Sequence, residues 1–200
     1  MTGTPQGTGR SSSAFLIAAV ALPLVVVAVF LVASAVPRWT VAAPAYDFLF
    51  RADTGYNPAS NQTFVNFVVR DGHLVADVRP ALANSYPPQP SLFLFDHRTL
   101  TPTEIRLDLP SRLDEGETLR VVPVAPLAAR RVLDGVNAPD GYAFDARYQH
   151  GPGFVGELFG MNRYGSRAAV VKAGRVVTIT IPDPMRYSIQ PIGWLEAEGR

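Results

Sequence analysis

Cysteine is absent from the 200 residues, which excludes a disulfide framework, a thiolate metal site and a cysteine nucleophile. Lysine is nearly absent: Lys172 is the single one among 18 basic residues, the rest being arginine. That bias is expected of a GC-rich bacterial coding sequence and carries no mechanism. Surplus charge is missing too. Residues 1–37 carry only Arg10, so 17 basic and 17 acidic side chains remain in residues 38–200 and cancel. A nucleic-acid-binding surface needs an excess of Lys and Arg to displace counterions, so nucleic acid is excluded as the expected partner.

Catalytic signatures are equally scarce. His73, His97 and His150 are the three histidines, and no H-E-x-x-H or H-x-H spacing joins them. Asp96-His97 at a strand end offers a base or metal pair by type alone, but a solvated loop is the favoured reading. Gly165-Ser166-Arg167 lacks the second glycine of a nucleophile elbow. Gly151-Pro152-Gly153-Phe154-Val155-Gly156 has the spacing G-x-G-x-x-G. Pro152 removes an amide donor, no helical pattern follows, and no carboxylate stands near Arg175–Val177, so a dinucleotide site is rejected. No catalytic, cofactor-binding or metal residue is assigned.

What the chain does have is one long apolar run. Ala14 to Val36 contains no ionisable side chain, with Arg10 before it and Arg38 after it. As a helix these residues would span roughly 34 Å, enough for a hydrocarbon core of roughly 30 Å. The run is therefore expected to be a single transmembrane helix in contact with the lipid bilayer. Ala33-Ser34-Ala35 offers a signal-peptidase site. The apolar stretch before it is longer than the 7–15 residues of a signal-peptide core, which favours a retained anchor. Flanking charge is almost balanced, and the short tail of residues 1–13, too polar to order itself, is easily left in the cytoplasm. The expected topology is N-in, C-out across the inner (cell) membrane, with Trp39 at the outer interface. Residues 37–45 form a linker, and residues 46–200 a periplasmic or extracellular domain.

That domain is expected to be mainly β and antiparallel, a sandwich or a partial propeller-like sheet. Eighteen prolines and sixteen glycines fall mostly between apolar runs, the punctuation of short strands. Tyr46–Arg51 is the first expected strand and Asp53–Gln62 a loop. Asp71-Gly72 predicts a two-residue hairpin, because both central positions of a type I′ turn need positive φ. With that turn set, Arg70 faces His73, and one face collects Val65, Phe67, Val69, Leu74, Ala76 and Val78; a one-residue slip would mix the faces. Pro80–Pro90 is a connector. Leu92–Phe95 reads as a strand buried on both faces, and Glu104–Leu109 as an alternating strand stopped by Pro110. Thr118–Val122 adds a strand, Pro126–Gly135 a short helix, Ala168–Ile181 a hairpin around Ala173-Gly174, and Tyr187–Leu195 a final strand.

Asn137-Ala138-Pro139-Asp140-Gly141-Tyr142-Ala143-Phe144 resembles the S-P-D-G-x-x-F turn of TolB-type and WD40-like propeller blades, with Ala138 at the usual serine position. The resemblance covers eight residues and implies a tight turn into a strand; a Pro-Asp-Gly turn also arises outside any blade. Gly151–Gly165 interleaves glycines with Phe154, Leu158, Phe159, Met161 and Tyr164. These side chains either fold back over the core or stay exposed to meet a partner or the bilayer.

The composite expectation is a binding or assembly module on a single-pass anchor, working with an envelope protein or with further copies of itself. The alternative is a hydrolase-like envelope enzyme whose Asp and His residues, Asp96, His97, His150 and Asp140 or Asp145, meet only in the fold. A third is a subunit whose sheet a partner chain completes.

Overall fold

The computed structural model describes residues 11–54, 62–82, 85, 87, 89–146, 168–181 and 186–196. His150 and the proposed contact residues Phe154, Leu158, Phe159, Met161 and Tyr164 lie outside them, as do residues 1–10 of the tail. The chain divides into two units, Met1–Ala42 and Ala43–Arg200.

Among its described residues the first unit holds one helix, α1 (Ser11–Thr40), which runs through Pro23 and Pro37. Its stretch Leu16–Thr40 is 25 residues long, and its most apolar 18-residue window has a mean hydropathy of 3.1 and is not buried. In water so much exposed apolar surface would be strongly unfavourable; in lipid it is the required state. By length and composition α1 can cross a membrane.

Among the described residues, the second unit has eleven strands in three antiparallel sheets. A five-stranded sheet has the order β5-β4-β1-β11-β7, from β1 (Asp47–Thr54), β4 (Gln89–Asp96), β5 (Thr101–Ile105), β7 (Val132–Asp134) and β11 (Arg186–Leu195). Its first and last strands in sequence, β1 and β11, lie side by side with Asp47 opposite Leu195. A three-stranded sheet β2-β3-β6 uses β2 (Thr63–Arg70), β3 (His73–Pro80) and β6 (Arg120–Pro123). Another, β10-β9-β8, uses β8 (Ala143–Asp145), β9 (Ala168–Lys172) and β10 (Arg175–Ile179).

The five-stranded sheet is the middle layer. One core joins Phe48, Phe50, Phe93, Phe95 and Trp194 to Phe144, Val170 and Ile179 of the β8–β10 sheet and to Tyr142 just ahead of β8. The other joins Leu49, Leu92, Ile192 and Leu195 to Val65, Phe67, Leu74, Ala76 and Val78 of the β2–β3 hairpin. Alternation along β1 thus sends Phe48 and Phe50 to one core and Leu49 to the other, which is why Phe48–Phe50 and Leu92–Phe95 are continuous apolar runs. The first core is largely aromatic: Phe48 lies 4.6 Å from both Phe144 and Trp194 between ring centroids, and Phe50 5.3 Å from Phe93.

The hairpin register matches expectation. Arg70 pairs with His73 and Thr63 with Pro80, around Asp71 and Gly72 at φ 51° and 77°. Five of the six residues assigned to the inner face are buried, and Val69 is half-buried. The β9–β10 hairpin also turns where expected, with Ala173 at φ 43° and Gly174 at 82°.

Other expectations need correction. No helix forms over Pro126–Gly135: a single 3-10 turn covers Ala125–Leu127, and Val132–Asp134 joins the middle sheet as β7 beside Gly193–Leu195. Ladder bonds to β11 satisfy backbone groups that an isolated short helix would leave at its ends. The fifth strand is shifted, occupying Thr101–Ile105, while Leu107 and Leu109 pack on the second core outside any ladder. Strand β1 continues through Asp53 and Thr54, where a loop is expected, because β4 and β11 both pair with it there.

One glycine is required by close approach. The β1–β11 register shifts between Leu49 and Phe50, leaving Ile192 without a Cα partner between Pro191 and Gly193. This bulge turns Ile192 to the second core and Trp194 to the first. A Cβ on Gly193 would sit 2.5 Å from the Leu133 carbonyl oxygen.

Candidate functional site

The apolar start of β1 carries one polar residue, Asp47, and the fold buries it to 9% exposure. A buried carboxylate is costly unless each oxygen is satisfied. Oδ1 accepts the backbone N–H of His97 at 3.1 Å and faces the His97 ring Nδ1 at 2.7 Å. Oδ2 accepts Nη2 of Arg130 at 2.7 Å. Since a carboxylate only accepts, the ring contact assigns the His97 proton to Nδ1 and turns Nε2 into the base nitrogen of the neutral ring. Burial pushes the Asp47 pKa up, but the bonds from His97 and the charge and bond of Arg130 outweigh it, and the carboxyl is held below its ordinary value.

Local structure explains how His97 reaches this point. It follows β4 directly, in a turn whose first residue, Asp96, accepts the amides of Arg98 at 2.7 Å and Thr99 at 3.4 Å through Oδ1. The Asp96 carbonyl accepts the Leu100 amide at 2.8 Å, and Leu100 closes the turn at φ 57°. Arg130 comes from the segment between the 3-10 turn and β7, anchored by Arg130 N–H to Leu127 O at 3.0 Å. One carboxylate therefore ties together the start of β1, the β4–β5 turn and the approach to β7.

Ligand atoms of Asp47, Asp96 and His97 all lie within 4.8 Å of one another. As a cation site the arrangement fits poorly. The Arg130 guanidinium occupies one face of Asp47, and Nδ1 of the imidazole takes the other at hydrogen-bond distance, so neither carboxylate oxygen is open to an ion. It is built as an ion-pair clamp.

Of the residues that the sequence offered for an enzyme, the fold brings Asp96 and His97 together with Asp47 and does not add Asp140 or Asp145. Asp140 instead fastens the chain ahead of β1: Oδ2 accepts the Ala45 amide at 2.8 Å, Oδ1 the Tyr142 amide at 3.2 Å, and its carbonyl the Lys172 Nζ at 2.5 Å. Gly141 at φ 86° completes the tight turn into β8. Tyr142 is fully buried beneath it, and burial raises its hydroxyl pKa, with Arg175 opposing and Asp140 reinforcing the rise. Asp145 lies in β8 opposite Ala169.

Sequence reasoning missed Asp47 and Arg130, which stand 50 and 83 positions apart from their partners His97 and Asp47. The available signal was an aspartate set directly before the apolar run Phe48–Phe50. Two grooves, of about 320 and 460 Å³, open elsewhere in this unit, one beside Thr63, Leu92 and Leu107 and the other beside Leu82, Arg112 and Glu117. Neither is lined by Asp47, Asp96, His97 or Arg130.

The chain matches no family model, no curated protein and no solved structure. The reading of its function therefore rests on its own residues.

Proposed function

We propose that this chain is a single-pass membrane protein whose β domain lies on the extracytoplasmic side and serves as a binding or assembly module. One observation carries the reading: the apolar span Leu16–Thr40, whose most apolar window has a mean hydropathy of 3.1, precedes the β domain in the chain. The span is retained after synthesis and holds the domain at the membrane. An alkaline phosphatase fusion at Arg200 is then active and a β-galactosidase fusion inactive; the reverse pattern overturns the topology. The mature chain has its full mass and partitions with membranes; a soluble product beginning after Ala35 would mark the span as a cleaved signal. The domain's partner is an envelope protein or a second copy, met through the apolar side chains of residues 151–165. Crosslinking in native membranes should yield a discrete adduct that is lost when those residues are deleted. An adduct that survives the deletion places the contact elsewhere, and no adduct at all removes the module reading.

A second reading, a hydrolase-like envelope enzyme, draws on the Asp47–His97 pair. A buried carboxylate behind Nδ1 orients an imidazole as it does in a general base, and the His97 side chain keeps 26% of its surface exposed. Turnover of small esters or phosphodiesters that His97→Gln abolishes would favour the enzyme. Turnover unchanged by that substitution, or none, eliminates it.

A further inference from the structure

We draw no further inference here: the strongest candidate, the Asp47–Asp96–His97 cluster where β1 begins and β4 ends, already has both oxygens of its buried carboxylate taken by His97 and Arg130, and among the described residues no second observation points to a ligand.

Discussion

Asp47 concentrates much of the domain's polar risk in one side chain. Its neighbours on β1 are apolar, its oxygens are satisfied by groups from two distant segments, and Arg130 is itself only 20% exposed at the side chain. Replacing Asp47 with Asn removes the charge that faces the Arg130 guanidinium and the His97 ring. The expected loss is about 2–4 kcal/mol of unfolding free energy, toward the lower end because His97 and Arg130 keep some solvent contact. The sign of the pH effect follows from the lowered carboxyl pKa. The folded value lies below the ordinary 3.8, so the stabilisation is complete above pH about 4–5 and is lost as pH falls through the folded pKa. Urea denaturation of the wild type and Asp47→Asn from pH 6 to pH 2 should show the two midpoints converging toward acid. Parallel curves would mean the clamp contributes nothing. Gly193 is the other residue whose identity the packing dictates. Gly193→Ala places a methyl group against the Leu133 carbonyl and Val132 Cγ1, at 2.5 and 2.9 Å, and should cost about 1–3 kcal/mol by overpacking. An unchanged thermal midpoint would show that β7 moves aside freely.

At the level of elements, the two hairpins pose the same problem with unequal residues. Asp71-Gly72 meets the demand for positive φ with a tolerant residue and a free one. Ala173-Gly174 puts a Cβ at φ 43°, a conformation that costs an L-residue roughly 1–2 kcal/mol. Ala173→Gly relieves the strain but adds unfolded-chain entropy of about 0.5–1 kcal/mol, so a net gain of up to about 1 kcal/mol is expected, read as a higher urea midpoint. A lower midpoint would indicate that the turn is not strained. The elements also differ in how openly the sequence declares them. The β2–β3 hairpin was legible because turn chemistry and period-two burial agree on one register. The segment 126–135 was not. Its Pro126 and Gly135 suit helix boundaries, yet Val132–Asp134 pairs with Gly193–Leu195, some sixty positions away, and no local pattern announces that partner. Strand β5 slipped for a related reason: Leu107 and Leu109 keep the alternation of a strand because they still cover the second core, without hydrogen-bonding to β4.

For the whole molecule, the described residues of both cores run from Tyr46 to Leu195, within the unit Ala43–Arg200. A chain of residues 43–200 should therefore fold without the helix and stay soluble. Trp194 is then the only tryptophan, because Trp39 is removed, and it is fully buried in the aromatic core. Its fluorescence should be blue-shifted in the native domain and move to longer wavelength in one cooperative step with urea. A red emission in buffer, or aggregation, would show that the domain depends on the anchor or on a partner strand. The full chain should sediment with membranes and need detergent for extraction.

The apolar helix, the antiparallel β character and the two turn-driven hairpins are properties of short segments, set by composition, period and φ preference, so the amino-acid order alone determined them. The three-layer arrangement, the pairing of first strand with last, the bulge at Ile192 and the Asp47–His97–Arg130 clamp depend on residues tens of positions apart. Those contacts are chosen by which faces can be buried together and which charges can be satisfied there, and only the tertiary structure decided them.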